Sequence, residues 1–130
     1  MNIKKTANLL LNFTIRRLAE IFGVLVSLTG GMLFLALITY SPNDPNFIFP
    51  ENTKIQNLMG FQGSFISDLF FQSVGLMAYL IPFTLLITGI NILRTKDFFL
   101  IIENNFFTIL YLISGTLFFI EYYSDTYSLY

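Results

Sequence analysis

The chain has no cysteine and no histidine, and only 12% of its 130 residues are charged. Without cysteine there is no disulfide framework, thiolate nucleophile or redox site. Without histidine the commonest metal ligand and the commonest general base are both missing. The sequence therefore predicts no enzyme, no metal centre and no cofactor. Its charge is about half the roughly 25% typical of a soluble domain, too little to keep a small monomer dissolved. Seven Lys and Arg nearly balance eight Asp and Glu, so neither a basic footprint for nucleic acid nor an acidic disordered tail is expected.

What is abundant is apolar surface, at 55% of residues, and it is arranged in long uncharged runs. Ile21 to Asn43, Leu69 to Leu93 and Asn104 to Ile120 carry no charge at all, and about 20 helical residues suffice to cross a hydrocarbon core. The third run is short, but Phe98 to Ile102 precede it across Glu103, Asn104 and Asn105, a polar step read as an interfacial start where a Glu can snorkel. The expected class is an all-α polytopic membrane bundle with three transmembrane helices, at about 21–40, 69–93 and 99–120. Three such segments cannot all be the buried centre of so small a soluble protein. A cleaved signal peptide is not expected: the first run is about twice an h-region in length and ends in Thr39, Tyr40 and Ser41 without a small-residue cleavage site. Ahead of it, Leu9, Leu10, Leu11, Phe13, Ile15 and Leu18 lie beside Arg16 and Arg17, which suits a helix at headgroup level or a frayed leader.

The cations set the expected orientation. Lys4, Lys5, Arg16 and Arg17 precede the first span, Arg94 and Lys96 stand in the linker 94–103, and only Lys54 falls in the loop 41–68. By the positive-inside rule, segment 1–20 and the linker are cytoplasmic, while the loop 41–68 and the tail 121–130 face outward. Tyr40, Tyr122 and Tyr123 would sit at the interface.

Within the spans, Gly23, Ser27 and Gly31 form a small-residue stripe on which another helix can approach closely. Pro82 removes a backbone hydrogen bond in mid-span and predicts a kink near Ala78, with Gln72, Ser73 and Gly75 available to take up freed polar groups. Thr84, Thr88 and Asn91 continue a polar stripe. No ionisable residue lies at depth, so helix packing is its expected role rather than transport. After the first span, Ser41, Pro42, Asn43, Asp44 and Pro45 form a stiff turn. Asn57, Gly60, Gly63, Ser64, Ser67 and Asp68 lead into the second span, with Ser67 or Asp68 available as a helix cap. Phe47, Ile48, Phe49, Met59, Phe61, Phe65 and Ile66 make this loop unusually apolar, so part of it is expected to fold onto the membrane or a partner.

The order SPNDPNF, NLMGFQGSFISDLFF, SVGLMAYLIPF resembles the N-terminal four-span membrane domain of the FtsK/SpoIIIE DNA translocases over about residues 15–120. The matching positions are Ser41, Pro42, Asp44 and Pro45 in the turn, Asn57, Gly60, Gly63 and Asp68 before the second span, and Gly75, Ala78, Tyr79 and Pro82 within it. Phe47 replaces a common Trp, and Ser64 and Ser67 replace small Ala residues. The resemblance implies an inner-membrane anchor that is recruited to the division septum and assembles with membrane proteins of the divisome, or with itself, while a separate ATPase pumps DNA. It also implies a fourth span, whereas the sequence ends after the third, as a fragment or a shortened product would. No GxxxxGK[ST] loop and no basic aromatic platform occur, so neither nucleotide hydrolysis nor direct nucleic-acid contact is expected of this segment.

Chemistry inside the membrane is no better supplied. Ser114-Gly115 has no base beside it in a chain without histidine, and Leu112 stands where a G-x-S-G protease signature has Gly. Asp68, Asp97, Glu103 and Glu121 fall at span ends. The alternative reading is an unrelated small multi-span protein, an accessory subunit of a transporter or envelope complex, for which the loop match is coincidence.

Overall fold

The computed structural model describes residues 3–45 and 54–127, so the expectations for Phe47, Ile48 and Phe49 lie outside the described residues. These residues form four α-helices and no strand: α1 (Ile3–Ile38), α2 (Gly60–Val74), α3 (Leu80–Thr95) and α4 (Phe99–Tyr127), with a 3-10 turn, Gly75–Tyr79, between α2 and α3. Three stretches are long and apolar enough to cross a membrane: Thr6–Ile38, Gly60–Thr95 and Phe99–Tyr123.

α1 runs unbroken from Ile3 past Glu20, so the described part of the first segment forms neither a separate surface helix nor a frayed leader. The reason is local: no Gly or Pro occurs before Gly23, and Lys, Ala, Leu, Arg and Glu are good helix formers. At its other end, Pro42 cannot continue the helix. The chain turns instead, with the Asp44 N–H donating to the Ser41 carbonyl at 3.1 Å.

The 41–68 loop is shorter than expected, because residues 60–68 are helical. Its glycines and serines read as loop composition, yet Gly63, Ser64 and Ser67 are the buried face of α2, where small residues let a helix lie close to its neighbours. Ser67 and Asp68 are therefore mid-helix rather than caps. Met59 precedes the helix without a side-chain cap, and the start is held by the Asn57 Oδ1, which accepts the Met59 N–H at 3.0 Å.

α2 crosses the end of α1. Asn57, just before it, bonds to Ala36, and eleven residues on Asp68 bonds to Tyr40, so about 16 Å of chain is fixed within roughly one turn of α1. The 36-residue stretch Gly60–Thr95 is far longer than a crossing needs. The 3-10 turn and the 16-residue α3 are together long enough for it. The disturbance expected near Ala78 is thus a break between helices. It begins at Gly75, whose φ of 59° lies in the region open to glycine, and Pro82 follows in the first turn of α3. Gln72 and Ser73 take no part in it: they bond within α2, to Asp68 and to the Leu69 carbonyl.

α3 packs chiefly on α1, and α4 on α3. Between α1 and α3 the fit is backbone to backbone. A Cβ on Gly89 would meet the Ser27 hydroxyl, the Ser27 N at 2.6 Å and the Gly23 carbonyl at 2.8 Å, and one on Gly30 would meet the Leu86 N at 2.9 Å. Gly31, by contrast, has only the Leu86 Cδ2 within reach, at 4.0 Å. The seam on α1 is Gly23, Ser27 and Gly30. Between α3 and α4 it is polar: Asn104 Nδ2 donates to Thr88 Oγ1 at 2.8 Å, and Thr108 Oγ1 to Thr84 Oγ1 at 2.8 Å. Asn104 therefore faces a neighbouring helix, with α4 already under way from Phe99, which leaves three residues as the α3–α4 connection.

The distribution of residue types is inverted relative to a soluble protein. Fully buried positions include Ala19, Ala78, Thr88 and Ser67, whereas Leu25, Leu28, Phe106, Ile109, Leu117 and Phe118 are exposed. A hydrocarbon solvent leaves large apolar side chains nothing to escape from, so close packing goes to small residues and hydrogen-bonded hydroxyls.

Candidate functional site

The sequence motifs converge at the loop end of α1, and the reason is the accounting of that helix's last carbonyls. A helix leaves its final carbonyls without intrahelical donors, and in an apolar setting each must find one. The Leu35 carbonyl accepts the Thr39 N–H at 3.0 Å and the Thr39 hydroxyl at 2.7 Å. The Ala36 carbonyl accepts Asn57 Nδ2 at 2.8 Å. The Leu37 carbonyl accepts the Tyr79 hydroxyl at 3.3 Å. Three different segments of chain thus close one helix end.

Asp44 fastens the loop that brings Asn57 there. Asp44 is 5% exposed, and its carboxylate takes one backbone N–H on each oxygen, Gln56 on Oδ1 and Asn57 on Oδ2, both at 2.8 Å. The two donors arrive from the far side of segment 46–53, so this one side chain clamps both ends of the loop. The Ser64 hydroxyl donates to the Pro45 carbonyl at 3.0 Å, and the Leu58 N–H to Thr39 Oγ1 at 3.2 Å.

Asp68 makes a second tie, from the middle of α2. It accepts the Tyr40 hydroxyl at 2.9 Å and Gln72 Nε2 at 2.8 Å. The Tyr40 ring lies 4.8 Å from that of Phe71, which in turn meets Tyr79 edge-on at 5.6 Å. Gly63 is closely confined, since a Cβ there would run into the Asn57 side chain and Met59. Gly60, with φ 68°, makes the turn into α2. Of the motif positions, Ser41, Asp44, Pro45, Asn57, Gly60, Gly63, Asp68 and Tyr79 belong to this cluster, and Pro42 starts its turn. Gly75, Ala78 and Pro82 shape the break below it, the last two buried.

Thr39, which both caps α1 and receives Leu58, was not legible as part of the cluster, because a threonine at a span end has no distinguishing pattern. Gly89 was also missed.

At the opposite end, Glu20 bridges α1 to the α3–α4 connection. Its carboxylate contacts Arg17 at 2.6 Å and Lys96 Nζ at 3.0 Å. Lys96 itself caps α3 in a left-handed conformation, with φ 61°.

This arrangement can hold elements together and present surfaces. Among the described residues, no group of His, Cys, Asp or Glu is placed to hold a metal ion, and the side chains of Asp44, Asn57, Ser64 and Asp68 are engaged with backbone or with other side chains.

Residues 15–127 match the family described as the 4TM region of DNA translocase FtsK/SpoIIIE. Curated relatives agree: the DNA translocase FtsK of Caulobacter vibrioides is 34% identical over 79 residues, 61% of this chain and 10% of that protein. That of Vibrio vulnificus is 37% identical over 83 residues, 63% of this chain and 8% of that protein. The matched region is thus about a tenth of these relatives' length. No solved structure matches.

Proposed function

Because the chain belongs to the family of the 4TM region of DNA translocase FtsK/SpoIIIE, we propose that it is the membrane anchor and septum-targeting, assembly module of an FtsK-like cell-division translocase. It is a multi-pass protein of the bacterial inner membrane. In this reading it performs no chemistry: α1, α3 and α4 hold the chain in the bilayer, α2 and the loop form a periplasmic platform, and the cationic end faces the cytoplasm.

The observation that carries the proposal is the coincidence between the family's positions and the loop-end cluster. The residues by which the sequence resembles the family, Asp44, Asn57, Gly63 and Asp68 above all, are those that fasten α2 across α1. A plain anchor needs only apolar helices. A platform held by a buried carboxylate and an asparagine with matched donors serves a defined surface, with Leu58, Phe61 and Leu69 on its exposed side, for membrane proteins of the divisome or another copy of the chain. The reading as an unrelated multi-span subunit loses its basis in family membership.

An N-terminal fluorescent fusion in dividing cells tests it. A band at mid-cell is expected. An even membrane outline from a stably inserted fusion would reject septum targeting by this module.

A further inference from the structure

The cationic end contains a feature that anchoring does not require. Phe13, Arg16, Arg17 and Glu20 on one face of α1, together with Arg94, Thr95 and Lys96 at the end of α3, line an open cleft of about 520 Å³. Four cations from two helices meet there with one carboxylate. Glu20 is committed to Arg17 and Lys96, and Arg17 also lies 5.2 Å over the Phe13 ring. Arg16 and Arg94, both exposed, have no ion-pair partner among the described residues, so the cleft keeps two guanidinium groups free.

Its depth identifies the ligand. The uncharged runs begin at Ile21 and end at Leu93, each within one residue of the cleft lining, which puts the cleft where hydrocarbon gives way to headgroups. A guanidinium presents paired donors that match a phosphate, and basic pockets between transmembrane helices suit anionic headgroups. The tendency of cytoplasmic segments to carry Lys and Arg accounts for their number, not for their convergence from separate helices on one space. We propose that this cleft binds the phosphate headgroup of an anionic phospholipid, with Arg16 and Arg94 as its phosphate ligands.

The test is native mass spectrometry of the full chain, delipidated in mild detergent and offered cardiolipin or phosphatidylethanolamine. Cardiolipin should be retained in preference, and the double variant Arg16→Gln/Arg94→Gln should retain it about tenfold less well. Lys54→Gln, which removes a cation outside the cleft, should retain it normally. Equal retention of the two lipids, an unchanged double variant, or the same loss in Lys54→Gln would overturn the proposal. So would displacement of cardiolipin by equimolar inorganic phosphate, which would make the cleft a site for a free anion. Should the double variant fail to fold, Arg16→Lys/Arg94→Lys keeps the charge but not the paired donors: weakened retention by that variant supports the two guanidinium groups as phosphate ligands, and unchanged retention overturns that assignment.

Discussion

Asp44 combines burial, charge and chain connectivity in one side chain. Both carboxylate oxygens accept backbone N–H groups, that of Asn57 in a buried bond and that of Gln56 in a part-buried one. Removing the acceptor leaves the buried Asn57 amide unpaired, at about 1–3 kcal/mol, and the part-buried Gln56 amide at a smaller cost because water reaches it. Asp44→Ala is therefore expected to destabilise the protein by about 1–4 kcal/mol in thermal or denaturant unfolding in detergent micelles. Asp44→Asn should fall between, since its amide accepts on one side but presents a second donor on the other. A variant at this position that lost mid-cell recruitment while unfolding like the wild type would place Asp44 in a partner contact instead. Asn57 follows the same logic with the roles reversed: Asn57→Ala strips the Ala36 carbonyl of its donor and the Met59 N–H of its acceptor. It should cost about 2–4 kcal/mol in the same assay, and a loss below 1 kcal/mol would mean that water reaches the helix end.

At the level of elements, the α1–α3 seam distinguishes three small residues that look alike in sequence. Gly89 faces backbone atoms of α1, which cannot rotate away as a side chain can, so Gly89→Ala should separate the helices at a cost of about 1–3 kcal/mol. Gly31 has open space beside it, and Gly31→Ala should be neutral or stabilising by up to about 1 kcal/mol through helix propensity. Ser27 carries a buried hydroxyl without a hydrogen-bond partner, so Ser27→Ala removes an unsatisfied group and should not lower the unfolding midpoint. Equal melting of all three variants would show that the seam is not the tight contact its geometry describes. The stripe was readable from sequence to within one residue: helical spacing marked Gly23 and Ser27, but a period of four points to Gly31 where the helix turn of 3.6 residues brings Gly30 to the partner. The Gly89 side of the seam was hidden because a glycine among leucines and threonines gives no period of its own. Residues 60–68 illustrate a different limit. Glycine and serine have the same composition in a loop and in the close-packed face of a helix, and only the position of the neighbouring helix separates the two.

For the whole molecule, hydropathy and charge were sufficient to define an all-α membrane bundle, because the bilayer makes both length and polarity of a span obligatory. They could not reveal that α2 lies across α1, since that geometry is set by Asn57, Asp44 and Asp68 through contacts 12 to 28 residues distant in sequence. Orientation follows from charge alone, and the cysteine-free chain makes it directly testable. Lys54 is exposed at the loop end and Thr95 is exposed at the cationic end, on opposite sides of the expected hydrocarbon layer. With six of the seven Lys and Arg on the side of Thr95, the positive-inside rule predicts a cytoplasmic position for that end. In spheroplasts a membrane-impermeant maleimide should label Lys54→Cys at once, and Thr95→Cys only after the membrane is permeabilised. The opposite pattern would put the α2 platform in the cytoplasm, where it could not meet periplasmic partners, and would move the cationic cleft to the outer leaflet. Labelling of both before permeabilisation would mean that α3 does not complete its crossing, and the Gly75 break would then mark a re-entrant segment rather than the start of a span.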